Sequence, residues 1–147
     1  MRGYLFLLAF ALFGLVLVAR PWAEQPAKNN AKTFQGYWMG IDPLDGGDSR
    51  RGFVQQPNGT FAMVGRDSFF TLCNNTDRGL AEFDDGTIVE RGVLKSDDVK
   101  LTCFNTGATV MLKVKYVLID DSAMTEFLTD QNGTPIDTII FHKVSQK

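Results

Sequence analysis

The sequence predicts an all-β domain, an antiparallel meander that closes into a small barrel of eight to ten strands, with a β-sandwich as the alternative. Turn-forming pairs such as Asn58-Gly59, Asp85-Gly86 and Asn132-Gly133 divide the chain at intervals of about 8 to 12 residues, a spacing typical of such folds. These pairs supply the positive φ angles that tight hairpins need. No stretch of the domain keeps a helical period for more than two turns, so we expect at most one short helix.

The longest predicted strand, residues 108–119, shows the alternation most clearly. Its apolar residues share one face, namely Val110, Leu112, Val114, Tyr116 and Leu118. Lys113 and Lys115 lie on the opposite face, so one side of the strand faces water, as an antiparallel sheet allows. A meander of such strands must protect its edges, and closure into a barrel removes them.

The N-terminal segment, residues 1–23, is predicted to be a secretory signal helix. Met1-Arg2 precedes an uncharged apolar run from Gly3 to Ala19, the pattern of a signal peptide. The run is shorter than the roughly 20 residues that a spanning helix needs. We therefore expect an exported protein, periplasmic or secreted. Because the cleavage site around Ala23 is irregular, a retained membrane anchor is the alternative.

The rest of the chain divides into a polar linker, residues 24–32, and one domain, residues 33–147. The formal net charge is −2, and loss of Arg2 and Arg20 with a cleaved signal would make it −4. An acidic domain without a basic stripe argues against nucleic acid as a partner. It argues equally against an anionic membrane surface, so we expect membrane contact only through an uncleaved N-terminal segment.

Two cysteines, Cys73 and Cys103, predict one disulfide, because an even count in an exported chain favours pairing. Both residues end predicted strands. The bridge would close a loop of about 30 residues and contribute roughly 3–4 kcal/mol in the chain-entropy model. The alternative is a pair of buried thiols that pack as small apolar side chains.

The segment Gly36-Tyr37-Trp38, on the first predicted strand, resembles the Gly-x-Trp motif of the lipocalin-like (calycin) barrels. The resemblance implies that Trp38 closes one end of the barrel and that a basic residue of the last strand packs over it. Lys143 fills that role here, with His142 as the second choice. The chain departs from the family pattern by having Lys rather than Arg and no predicted helix after the barrel.

The sequence favours a protein without catalytic activity, metal or cofactor. His142 is the single histidine and has no Asp or Glu beside it in the sequence, so no nucleophile–base pair is visible. One histidine and two cysteines are also too few for a typical zinc site. The paired carboxylates Asp84-Asp85, Asp97-Asp98 and Asp120-Asp121 all fall at predicted turns, where Asp bonds to its own backbone.

Charged and polar side chains follow several predicted strands and are expected to meet at one rim of the barrel, since alternate loops of a meander share an end. They are Asp48, Arg50 and Arg51, then Arg66 and Asp67, then Asn74, Asp77 and Arg78. Arginine binds carboxylates with two parallel hydrogen bonds, which makes this cluster the candidate ligand site. The alternative is that the charges only form salt bridges between neighbouring hairpins.

These observations predict an exported barrel that binds a small apolar or amphipathic molecule. Small barrels either fill their interior with side chains or hold one ligand there, and the chain contains 12 phenylalanines. The alternative is a structural or inhibitory envelope protein that acts through its surface without a ligand.

Overall fold

The computed structural model describes residues 31–67, 72–73 and 78–145, which form a closed antiparallel barrel of eight strands. A short helix precedes the strands, and the elements are α1 (Ala31–Phe34), β1 (Gly36–Ile41), β2 (Asp48–Gln55), β3 (Phe61–Asp67), β4 (Gly79–Glu90), β5 (Val93–Cys103), β6 (Thr109–Leu118), β7 (Ala123–Thr129) and β8 (Pro135–Lys143). Each strand pairs with the next, and β8 pairs with β1. The predicted meander barrel is therefore confirmed, whereas the predicted signal helix lies outside the described residues.

Alternation along the strands, interrupted by bulges in β3–β4, β4–β5, β5–β6 and β7–β8, fills the barrel with large side chains. On β6, Leu112, Val114 and Tyr116 are buried as the pattern predicted. The largest fully buried side chains are Trp38, Tyr116, Phe34, Phe53, Phe61, Phe141, Met63, Leu94, Leu101, Leu112, Met124 and Ile139. The Phe53 and Tyr116 rings meet edge to face, with 4.9 Å between their centroids. The described interior is thus a packed core, as in the smallest barrels.

Helix α1 closes the end of the barrel where β1 begins. The helix buries Ala31 and Phe34. Gly36 follows with a φ of +114°, a conformation that only glycine adopts without strain. The turn brings the Trp38 indole beneath the helix, where its Nε1 donates a hydrogen bond to the Phe34 carbonyl oxygen over 2.9 Å.

The pairing of β1 with β8 places Lys143 opposite Trp38. The Lys143 ammonium lies 5.3 Å from the centroid of the Trp38 ring and donates a hydrogen bond to the Thr33 carbonyl oxygen over 2.6 Å. His142 instead faces outward and is exposed. Of the two basic residues considered from the sequence, Lys143 is the one on the tryptophan.

The opposite end, which we call the rim, carries the connections β1–β2, β3–β4, β5–β6 and β7–β8. A disulfide between Cys73 and Cys103 ties the β3–β4 connection to the end of β5, with 5.6 Å between the Cα atoms. The predicted bridge is confirmed. Cys103 ends its strand as expected, but Cys73 lies in a turn rather than at a strand end.

Removal of the Trp38 side chain should be among the most damaging single changes in the barrel. Trp38 is fully buried, so we expect Trp38→Ala to lower the free energy of unfolding by about 3–5 kcal/mol. Lys143→Ala should cost about 1 kcal/mol, because the losses are the partly exposed hydrogen bonds to the Thr33 and Lys32 carbonyl oxygens and one cation–π contact. Urea unfolding followed by circular dichroism measures both values, and equal losses would contradict this account of the closed end.

Candidate functional site

Five of the eight rim residues predicted from the sequence line one depression on the outside of the barrel. Its walls are Asp48, Arg50, Arg66, Asp67, Arg78 and Phe104, around a volume of about 140 Å³. We call this feature the arginine depression. Asn74 and Asp77 lie outside the described residues. Phe104 was not predicted, although its position directly after Cys103 places it at the rim.

The arginines approach one another because of strand register. Arg50 on β2 is the direct cross-strand partner of Arg66 on β3, and both side chains are exposed on the outer face. Like charges in directly opposite positions destabilise a sheet. Arg78 adds a third exposed guanidinium just before β4. The fold therefore concentrates positive charge here at a cost in stability.

Phe104 forms an aromatic wall of the depression. The Arg66 guanidinium lies 5.5 Å from the centroid of its ring, within range of a cation–π interaction. The Phe104 amide donates a hydrogen bond to the Arg78 carbonyl oxygen over 2.8 Å, which links the β5–β6 connection to the start of β4. Phe104 remains 46% exposed, so its ring is accessible to a ligand.

Carboxylates offset only part of this positive charge. Asp48 lies 3.8 Å from Arg50, and both side chains are more than half exposed, so their attraction is weak. Asp67 lines the depression but is buried, and its carboxylate accepts hydrogen bonds from Ser49 Oγ over 2.7 Å and from Arg51 Nη2 over 3.1 Å. Among the described residues, Arg66 and Arg78 have no carboxylate partner.

The sequence grouped Arg51 with the rim charges, and this prediction is wrong. Alternation along β2 turns Arg51 inward, where its side chain is 2% exposed. Its Nε and Nη2 donate hydrogen bonds to the two Glu126 carboxylate oxygens over 2.6 and 2.7 Å. Glu126 on β7 was not predicted as a partner, because 75 residues separate it from Arg51 and only barrel closure brings them together.

Neighbouring residues leave room for the Arg51 side chain and contact it. A Cβ on Gly65 would lie 2.8 Å from Arg51 Cδ, so glycine leaves the space that the side chain crosses. The guanidinium stacks 4.8 Å from the centroid of the Phe141 ring. Burial has the largest single effect and lowers the pKa of Arg51. The charge of Glu126, its hydrogen bond to the guanidinium and the other nearby groups, Asp67 included, together outweigh burial and hold the pKa well above its usual value.

Tyr116 faces the same ion pair from β6. Its hydroxyl is buried and makes no hydrogen bond of normal geometry with the described residues. Burial, followed by the negative charge of Glu126, raises the pKa of the phenol well above its usual value. Tyr116 therefore stays neutral and presents an unused donor toward the Arg51–Glu126 pair.

Further carboxyl groups gather near the rim end of the interior. Asp42 is 2% exposed, and burial raises its pKa. Asp137 on β8 is half-buried, and burial together with the charge of Asp42 raises its pKa to about 6. Within the described residues, no group of His, Cys, Asp and Glu side chains is arranged to hold a metal ion.

Neither protein-family models nor curated proteins show a match to this sequence. The class that the structure defines is that of small, closed, eight-stranded antiparallel barrels, and the calycin-like architecture inferred from Gly36 and Trp38 is compatible with it. The disulfide is consistent with an exported protein. None of the helices formed by residues in the described ranges has the length and apolar character needed to cross a bilayer.

Breaking the buried ion pair should destabilise the barrel strongly. Glu126→Gln leaves Arg51 with an incomplete counter-charge in the core, so we expect the free energy of unfolding to fall by about 3–5 kcal/mol. Glu82→Gln is the matched control, because Glu82 faces Lys100 across 3.9 Å in solvent and should cost less than about 1 kcal/mol. Urea unfolding at pH 7 compares the two variants, and similar costs would contradict the structural role of Glu126.

Asp137 should make the barrel less stable as pH rises toward neutrality. Its folded pKa of about 6 lies above the ordinary value of 3.8, so its contribution is fully present below the ordinary value and is lost as pH rises through about 6. Asp42 acts in the same direction. Asp120 and Asp130, whose pKa values are lowered by backbone hydrogen bonds, change stability only at more acidic pH.

Asp137→Asn tests this assignment, because asparagine stays neutral and keeps an oxygen that accepts the Thr138 amide hydrogen bond. We expect the urea midpoint of the native protein to fall between pH 5 and pH 7.5 and that of the variant to fall less. A midpoint that rises equally in both proteins over this range would contradict the raised pKa.

Proposed function

We propose that the protein is an exported binding module that holds an anionic ligand group on its outer surface, in the arginine depression. The cross-strand pair Arg50–Arg66, extended by Arg78, is the observation that carries the proposal. Two like charges at directly opposite positions cost stability, and a bound anion placed between them would remove that cost. The ligand group is a carboxylate or a phosphate, both of which guanidinium groups bind with paired hydrogen bonds.

The packed interior supports a ligand on the outside rather than inside. The space that a larger barrel would offer is filled by side chains such as Phe53, Phe61 and Tyr116. A ligand inside would have to displace several of them, each removal costing several kcal/mol. The arginine depression needs no such rearrangement, because its three guanidinium groups are already exposed.

We also propose that the protein is exported and has no catalytic activity. Disulfides are common in exported proteins and rare in the cytosol. The Cys73–Cys103 bridge therefore agrees with the signal predicted for residues 1–23. His142 is exposed on the outer face of β8, which gives no support to a role as a buried catalytic base. The proposal also places the chain among lipocalin-like barrels, on the strength of Gly36, Trp38 and Lys143.

A second candidate is an envelope protein that acts through its surface without a small ligand, in a structural or inhibitory role. The filled interior favours it as much as it favours an outer ligand site. Under this alternative, Arg50, Arg66 and Arg78 would pair with carboxylates of a partner protein. Free anions would then bind no better to the arginine depression than to other surface cations.

Anion titration followed by nuclear magnetic resonance tests the proposal. Acetate and inorganic phosphate should each shift the Nε–Hε signals of Arg50, Arg66 and Arg78 along saturable curves at constant ionic strength. The double variant Arg66→Gln/Arg78→Gln should weaken binding about tenfold or more, since charge-assisted hydrogen bonds are lost.

Arg91→Gln is the matched control, because Arg91 is an exposed arginine in the β4–β5 turn at the closed end. It should leave both titrations unchanged. Linear shifts without saturation, or equal losses in the double variant and in Arg91→Gln, would contradict the proposal and favour the surface-acting alternative.

A further inference from the structure

An apolar groove adjoins the arginine depression on the outer face of β1, β2 and β3. The groove has a volume of about 750 Å³, within the range of ligand sites. Its outward apolar side chains are unusually accessible, with Tyr37 and Val54 each 60% exposed and Val64 54% exposed. Exposed apolar groups that form a continuous surface mark binding sites more often than single ones do.

Strand register explains the shape of the groove. Tyr37, Gly52 and Val64 occupy one cross-strand row, and Gly52 forms its floor because it has no side chain. A Cβ at Gly52 would lie 3.3 Å from the Tyr37 ring, so the ring rests directly over the glycine. Val54 continues the apolar surface along β2 toward the closed end.

The groove and the arginine depression are continuous, because Arg50 and Arg66 line both. The outward residues of β2 run in the order Val54, Gly52, Arg50 and Asp48 toward the rim. At about 3.3 Å per residue, Val54 and Arg50 are roughly 13 Å apart along the strand. One surface therefore offers an apolar track of this length that ends in three guanidinium groups.

From this continuity we infer that the ligand is a single-chain amphipathic anion. Its anionic group lies in the arginine depression and its apolar chain lies along Tyr37, Val54 and Val64. This inference rests on the proposed function, which supplies the anion-binding end. Charge complementarity fixes the direction of the molecule, because the exposed charged residues that line the groove itself, Arg50 and Arg66, lie toward its rim end. The apolar chain of the ligand would be covered on one side only. Each methylene should then raise the affinity about twofold, which corresponds to roughly half of the free energy gained when a methylene is fully buried.

The probe is decanoate, kept below the concentration at which it forms micelles. Acetate, which has the carboxylate without the chain, and decanol, which has the chain without the charge, are the comparison compounds. The oxidised full-length chain is titrated with each molecule by nuclear magnetic resonance. Decanoate should bind at least about tenfold more tightly than acetate and should shift signals of Tyr37, Val54 and Val64 as well as those of the three arginines. Decanol should bind more weakly than decanoate, because it lacks the charge.

The double variant Val54→Thr/Val64→Thr keeps the β-branched shape but makes the track polar. It should remove most of the advantage of decanoate over acetate and leave acetate binding unchanged. Val89→Thr is the matched control, since Val89 on β4 is 55% exposed away from the groove, and it should change neither affinity. All variants retain the apolar N-terminal run, so decanoate bound to that run would persist in every variant and would contradict the inference.

The outcomes separate this inference from the function on which it rests. Equal affinities for acetate and decanoate, with both lost in Arg66→Gln/Arg78→Gln, would overturn the amphipathic ligand and leave the anion site intact. Decanoate binding that survives the arginine changes but not the threonine changes would overturn the proposed function itself. A third outcome is that the chain sediments as a dimer in which Tyr37, Val54 and Val64 are covered. That outcome would assign the groove to a second copy of the chain and would also overturn the inference.

Discussion

The buried pair of Arg51 and Glu126 is the constraint on which the rim end of the barrel depends. Two ionised groups are held in the core at 2.6 and 2.7 Å, a situation that is tolerated only when geometry and charge both match. The pair joins β2 to β7 across the interior, and Asp67 adds β3. Gly65 and the Phe141 ring complete the space around the guanidinium. A change of register in any of these strands would leave a charge unpaired.

The same constraint shapes the outer surface. Because β2 must turn Ser49, Arg51 and Phe53 inward, its remaining residues Asp48, Arg50, Gly52 and Val54 face solvent. Asp67 is buried and bonded to Arg51, so it offsets only part of the positive charge outside. The positive character of the arginine depression is therefore partly a consequence of the ion pair inside. Core stability and surface chemistry are coupled through the alternation of two adjacent strands.

The two ends of the barrel use different chemistry for different purposes. The closed end is apolar and is sealed by helix α1, Phe34 and Trp38, with Lys143 laid on the indole. The rim carries the disulfide, the half-buried carboxyl groups Asp42 and Asp137, and the exposed arginines. The Cys73–Cys103 bridge ties the β3–β4 connection to the end of β5, next to Phe104. A rigid scaffold of this kind suits a binding site built at one end.

The sequence by itself determined the strands, the turns, the disulfide and the inward face of β6, because alternation and turn chemistry are local properties of the chain. The regular meander also leads us to expect the rim charges at one end, and five of the eight residues named line one depression there. Only the tertiary structure decided that Arg51 points inward to Glu126, that Arg50 meets Arg66, and that the groove continues from them. Arg51 and Glu126 are 75 residues apart, and only barrel closure brings them together. Arg50 and Arg66 are opposed by the register of the β2–β3 hairpin, which depends on the exact turn geometry and strand pairing.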